Sequence, residues 1–201
     1  MEDFKNLLSG FNIEKLDNHL SSIYGVWNDY TIGYFNTAWS QFAKDNNGEP
    51  DISRKWGLGA NIFDAIPEVL KHFYQRVFQI VAKRERSANL NYECSSPELF
   101  RKFIQTIYPL RQGGLLIVNS LNIEMPHSSV NTLTEEFQYI DSQGMVHQCA
   151  NCRRVQNLNK PDQWDFIPEW VQNPSSKVSH SLCTVCQGFY YHIDDLSYSN
   201  Q

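Results

Sequence analysis

Four of the five cysteines of this chain stand in two Cys-x-x-Cys pairs, Cys149/Cys152 and Cys183/Cys186. A two-residue spacer lets both thiolates of one turn face a single ion, and zinc takes four such soft ligands in tetrahedral geometry. The pairs are separated by 30 residues and together make a closed four-thiolate set. A closed set leaves no open position for a substrate, so the expected chemistry is structural zinc binding. The alternative is a thiol-based redox switch, in which the two dithiols form and break disulfides. His180, just ahead of Cys183, is expected beside the site rather than in it, because four thiolates already fill a tetrahedral ion. Arg153 and Arg154 follow the first pair, where a cation offsets the negative charge of a four-thiolate site; at least one of them is expected to face solvent. Cys94 stands alone, in an expected strand, as a small buried hydrophobe.

Composition narrows the function classes. The 201 residues suffice for one or two domains with a real core. The net charge is −5, which argues against a general binder of phosphate backbones. Between Cys149 and Tyr191 only Arg153, Arg154, Lys160 and Lys177 are basic, weak support for a zinc-binding nucleic-acid module. No run approaches the roughly 18 apolar residues of a membrane span. The start of the chain has mixed charge and lacks a signal-peptide core, so a cytoplasmic setting is expected. A reducing compartment also favours metal-bound thiolates over structural disulfides. Phosphate-loop, Gly-x-Ser-x-Gly and His-Glu-x-x-His motifs are missing from the sequence, and the expectation is a protein that is not an enzyme.

The elements that must position the cysteines can be read from periodicity. Phe4, Leu7, Leu8, Phe11, Leu16 and Leu20 mark a helical arm over 1–21, broken at Ser9-Gly10. The arm either packs on its own domain or makes a dimer contact. Two short strands, 23–27 and 32–36, follow, then a helix over 37–45 and an irregular turn over 56–63. The longest expected helix covers 65–83, with Asp64 as its N-cap. Strands are expected over 87–94, 100–110 and 115–123, with Gly113-Gly114 as the hairpin turn between the last two. A polar connector covers 126–134. A second hairpin joins 137–140 to 145–148. The cysteine module runs from about 148 to 192 with one short helix over 164–171, and a tail covers 193–201. Two strands, several helices and three strands fit a five-stranded antiparallel α+β sheet with helices on one face, in which the second and last strands flank the first.

This order resembles the PAS domain, a sensor and interaction fold, over residues 22–125. Tyr34-Phe35-Asn36-Thr37-Ala38-Trp39 is similar to the PAS pattern of a strand ending in Asn before a short helix. Gly59-Ala60-Asn61-Ile62-Phe63, Tyr92 to Pro97, Phe103 to Leu110 and Gly113 to Ile123 resemble the later PAS segments in order. The cysteine module resembles a short segment that follows sensor or receiver domains in bacterial signalling proteins. It carries Cys149-Ala150-Asn151-Cys152-Arg153-Arg154, then Trp164 and Trp170, then Ser179-His180-Ser181-Leu182-Cys183-Thr184-Val185-Cys186. Ser181 stands where that segment usually has Gly.

The resemblance implies a PAS sensor or interaction module with a zinc-ribbon-like four-cysteine extension. Such a module binds a small ligand or cofactor in a pocket between helices and sheet and signals to a separate protein partner. A homodimer through the arm or the PAS sheet is the expected assembly, with no membrane association. In haem-binding PAS proteins the proximal histidine can come from the long helix, and His72 is the candidate for that role here. Asn151 to Gln156 is similar to a flavin-photoreceptor motif, but Cys152 already belongs to a Cys-x-x-Cys pair and lies after the last PAS strand. A zinc-binding scaffold is the remaining alternative.

Overall fold

The computed structural model describes residues 4–127 and 136–191. Most of the expected connector over 126–134, and the tail over 193–201, lie outside the described residues. The fold is α+β. Strands β1 (Ser22–Val26), β2 (Ile32–Phe35), β3 (Ala88–Glu93), β4 (Leu99–Pro109) and β5 (Leu115–Pro126) form one sheet in the order β2-β1-β5-β4-β3. The second and last strands flank the first, as the sequence order predicts. Both pairings of β1 are antiparallel, with Gly25 opposite Tyr34 on one side and Leu116 on the other. The β4–β5 turn uses Gly113 and Gly114 at φ of 97° and 82°. Those left-handed angles suit glycine. The Asn28 side chain accepts the Gly114 N–H at 2.7 Å and fixes the turn against β1.

The chain divides into two compact units. The first comprises Met1–Pro67, Lys71–Asn91 and Ile104–Leu121; the second comprises Glu68–Leu70, Tyr92–Phe103 and Asn122–Gln201.

In the first unit the sheet is covered on both faces. Alternation along β1 sends Tyr24 to one face and Ile23 and Gly25 to the other. Tyr24 meets Trp39 of α2 (Thr37–Asp45), with ring centroids 5.0 Å apart. The opposite face takes the N-terminal arm, a 3-10 turn at Phe4–Leu8 followed by α1 (Ile13–Asp17). Phe4 and Leu8 are buried there with Ile23, Tyr34, Leu110 and Leu116. A Cβ at Gly25 or Gly33 would overlap the Phe4 ring, so these glycines open the seat into which the arm fits. Helices therefore lie on both faces and not on one. The arm uses Phe4 and Leu8 against its own sheet, while Phe11 and Leu20 stay exposed.

Asn36 locks arm, sheet and helix together. Its Oδ1 accepts from the backbone N–H of Ile23 at 3.0 Å and of Trp39 at 3.1 Å, and so caps α2. Its Nδ2 reaches the carbonyls of Leu16, His19 and Ser21 at 2.9–3.2 Å. Further along, α3 (Asp51–Lys55) is an additional turn of helix that periodicity did not mark. The long helix α4 covers Glu68–Arg84 and starts three residues later than expected. Asp64 ends a 3-10 turn, Ile62–Asp64, which Asn61 caps. Pro67 disfavours helical geometry at Ile66, so α4 begins only after it.

The second unit carries a four-stranded sheet. Strands β6 (Val146–Cys149), β7 (Val155–Asn157), β8 (Lys160–Asp165) and β9 (Val178–Ser181) lie in the order β8-β7-β6-β9, with β6 and β9 parallel. Tyr139, Val146, Val155 and Ile167 form its core, with Trp170 packed against it. Trp164 belongs to strand β8, where a helix was expected; the helix α5 is confined to Pro168–Gln172 by Pro168 at its first turn. The expected hairpin over 137–148 is reduced to a bridge between Ile140 and Val146, because 136–138 winds into a 3-10 turn.

These contacts set two expectations for stability. Asn36 is 2% exposed, and Asn36→Ala strands five backbone groups. The expected loss is about 2–4 kcal/mol in urea unfolding; a loss within error of zero would refute the locking role. In the second unit, Asp141 accepts the N–H groups of Met145 and Gln143 at 2.9 and 2.8 Å. The Met145 N–H leads in holding the Asp141 carboxyl below its ordinary value, against a small desolvation cost. A carboxyl lowered on folding contributes stability above its unfolded pKa, near 4, and loses it as pH falls through the lower folded value. Asp141→Asn should therefore flatten the acid limb of the stability–pH curve below about pH 4.

Candidate metal centre

The two Cys-x-x-Cys pairs come from different kinds of local structure. Cys149 ends β6 and Cys152 sits in the turn to β7. That turn closes through Cys149 N–H to Arg154 O at 2.8 Å and Arg153 N–H to Cys149 O at 3.0 Å. Arg153 sits at its corner with φ 61° and points into solvent. Cys183 follows β9, and Cys186 lies in the first turn of α6 (Thr184–Tyr191). Parallel pairing sets Cys149 opposite Ser181, and the Ala150 N–H donates to Ser181 O at 2.8 Å. The turn and the helix start are thereby drawn to one point.

All four sulfurs are buried and lie within 4.8 Å of one another. Cys152 Sγ and Cys183 Sγ are 3.8 Å apart. Zinc–sulfur bonds of about 2.3 Å in a tetrahedron require sulfur–sulfur edges of about 3.8 Å. A disulfide would need about 2.05 Å. The cluster can hold a metal ion such as zinc.

Each sulfur also meets one N–H donor of its own. Cys149 receives the Cys152 backbone N–H. Cys183 receives the Cys186 backbone N–H at 3.4 Å. Cys186 receives the Asn151 side chain at 3.0 Å. Cys152 receives the Arg154 guanidinium. Four donors on four sulfurs favour thiolates over thiols. Protons alone cannot charge all four. Hydrogen bonds from the thiols of Cys152, Cys183 and Cys186 pull Cys149 well below the ordinary thiol value. Cys149 in turn leads in pushing Cys152 and Cys186 up. Cys183 settles at about 7, raised by Cys149 and lowered further by Cys152 and Cys186. A divalent cation lets all four ionise together.

Arg154 extends the site outward. Desolvation opposes its charge, but Cys152 and Glu93 outweigh it and hold the guanidinium ionised. Its Nη1 donates to Glu93 Oε2 at 3.2 Å, across 61 positions of sequence. Of the two arginines considered from sequence, Arg154 is the one that faces a sulfur. Asn151 and Glu93 were not singled out in sequence. Asn151 could have been noticed as the polar residue inside the first pair. Glu93 carried no local signal.

The remaining candidates stand apart from the cluster. His180 is exposed on β9. His72 is exposed on α4, off the stripe formed by Leu70, Val77, Phe78 and Val81. Cys94 is half-buried just past the end of β3.

No helix among the described residues is long and apolar enough to cross a membrane. No protein-family model matches the chain, and no curated protein matches it. Solved structures that overlap it in part include the following two. A crystal structure of a phage VqmA–DPO complex shares 14% identity at a TM-score of 0.40, over 54% of this chain and 50% of that one. The chain thus spans half the length of the phage protein. A C-terminal domain from Streptococcus mutans shares 16% identity at a TM-score of 0.39, over 55% of this chain and 85% of the domain.

Proposed function

We propose that this chain is a non-catalytic sensing module of PAS type. Its first unit takes a small ligand on the α2-facing side of the sheet, its four-cysteine centre holds a structural zinc ion, and it signals to a separate protein. The sheet order β2-β1-β5-β4-β3 agrees with the arrangement that the resemblance implies. The zinc assignment is supported by four buried sulfurs within 4.8 Å of one another, one pair of them at the 3.8 Å edge of a zinc tetrahedron, with no fifth ligand group among them.

The ligand assignment is carried by Gln105. This β4 side chain is 6% exposed, and its Nε2 donates to Asn119 Oδ1 of β5 at 3.0 Å. Its Oε1 is the buried side-chain acceptor that finds no partner among the described residues. A stranded buried acceptor costs about 1–3 kcal/mol, and native structures keep few of them. Its row of the sheet lies beside Ile107, Ile117 and Tyr24. Burial, with Tyr74 nearby, pushes the Tyr24 phenol above its usual range, so it stays a neutral donor. Such a surface suits a small, mostly apolar molecule that brings one N–H or O–H donor to Gln105.

The zinc half is tested by metal analysis of Cys183→Ser. We expect the wild type to carry one zinc per chain and the variant to lose it, with the cysteine unit becoming protease-sensitive. Retention of one ion per chain in the variant would sink the assignment. Mild peroxide discriminates the redox-switch reading: loss of the four thiols of the two pairs together with zinc release would favour it. The ligand half is tested by native mass spectrometry and visible absorption of the freshly purified chain, compared with Gln105→Leu. A bound small molecule should be present in the wild type and lost in the variant. The variant without ligand should melt higher by about 1–2 kcal/mol of stability, since its unpaired acceptor is gone. A variant that is less stable, with no compound bound to either chain, would refute the ligand role.

A further inference from the structure

Arg154 touches two things at once, the Cys152 sulfur and the Glu93 carboxylate. Its backbone is fixed by the metal-binding turn itself, since Arg154 O accepts the Cys149 N–H at 2.8 Å. Ion binding that sets Cys149 and Cys152 therefore also sets where the guanidinium stands. On the other side, Glu93 ends β3 and its carboxylate is nearly enclosed, at 11% exposure. One oxygen takes Arg154 at 3.2 Å, and the other takes Ser95 Oγ at 3.0 Å. Ser95 is buried, and its Oγ accepts the Arg101 N–H of β4 at 3.2 Å. The Cys94 N–H donates to Arg101 O at 3.1 Å. Arg101 then reaches Glu124 of β5 through Nε at 2.9 Å. A continuous polar chain runs from a metal-ligating sulfur to the outer ends of three strands, all within the second unit.

We infer that the Arg154–Glu93 pair couples metal occupancy of the four-cysteine centre to the order of the β3–β4 connection. This rests on the metal reading above. With the ion bound, the first turn is rigid and Arg154 neutralises Glu93. Without it, the turn loosens, Arg154 withdraws, and Glu93 is left as a nearly enclosed carboxylate without its cation. An unpaired enclosed charge is unstable, so Glu93 turns outward and releases Ser95. The hydrogen bonds at Cys94 and Arg101 then open more often. Coupling of this kind is reciprocal: whatever loosens the Glu93 end must weaken metal binding by the same factor.

The test is residue-resolved amide exchange on the full chain, zinc-loaded and after chelation, with Glu93→Gln alongside. The Gln keeps the size and the contact to Ser95 but removes the charge that holds Arg154. Chelation of the wild type should speed exchange at the Cys94 and Arg101 amides. Glu93→Gln should show faster exchange at the same amides while zinc is still bound. Its zinc affinity, from competition with a chromophoric chelator, should fall by about tenfold. The zinc-loaded variant keeps the test decisive if chelation unfolds the whole unit. Zinc bound at full stoichiometry, with Cys94 and Arg101 exchange and zinc affinity unchanged in Glu93→Gln, would overturn the coupling and leave the metal centre standing. A wild type that takes up no zinc would overturn both.

Discussion

Parallel pairing of β6 with β9 is the constraint on which the cysteine unit depends. The two Cys-x-x-Cys pairs lie far apart in sequence, and a metal centre needs their sulfurs in one coordination sphere. Neighbouring parallel strands put the ends of both at the same edge of the sheet. An antiparallel pairing would send them to opposite edges. Parallel strands cannot be joined by a tight turn; they need a crossover of a dozen or more residues. The chain supplies it between Cys149 and Val178, where β7, β8 and α5 fold back and add the core residues Val155 and Ile167. The spacing between the cysteine pairs is thus the length of a crossover with a small core of its own. The small core and the cysteine cluster lie in the same unit, where a bound ion would close turns that short strands alone hold weakly.

The first unit solves a different problem. A sheet with two apolar faces must be covered twice, and the helices after β2 cover only one. The arm covers the other, and its fit depends on two missing side chains. Gly25 and Gly33 leave the floor on which the Phe4 ring rests, with Trp27 meeting that ring edge-on at 4.8 Å. Glycine weakens a strand interior, so its presence at both positions reads as the consequence of this close approach. Asn36 then fixes where the arm ends, since three of its contacts are carbonyls between Leu16 and Ser21.

Much of this was legible in the sequence because it is local. Two Cys-x-x-Cys pairs announce a four-sulfur site whatever surrounds them. The Gly113-Gly114 turn predicted the β4–β5 hairpin, and the strand ending at Asn36 before a helical pattern was also legible. Failures arose where a second constraint overrode the pattern. Apolar spacing ran α4 back to Ala65, but Pro67 prevents a helix from passing through Ile66. Around Trp164 the pattern read as helix, yet pairing of Gln156 with Trp164 made a strand. The face chosen by the arm was not legible, because an apolar stripe does not say what it will cover. Nor was Glu93, whose partner Arg154 is distant in sequence and near only in the fold.

Two enclosed polar groups, Glu93 and Gln105, are satisfied to different degrees. The Glu93 carboxylate would be far costlier to bury than a neutral amide, and it is satisfied on both oxygens by Arg154 and Ser95. The Gln105 amide is satisfied on one side only, through Asn119. Had both been structural, the cheaper repair would have been at Gln105, where a leucine or methionine fills the same volume with no acceptor to satisfy. A fully paired charge makes a rigid joint, and that suits a link between a metal centre and strand ends. A half-paired amide keeps one acceptor available to a donor. The costlier group is thus paired on both oxygens, in the second unit, while the cheaper one, in the first, keeps a single partner.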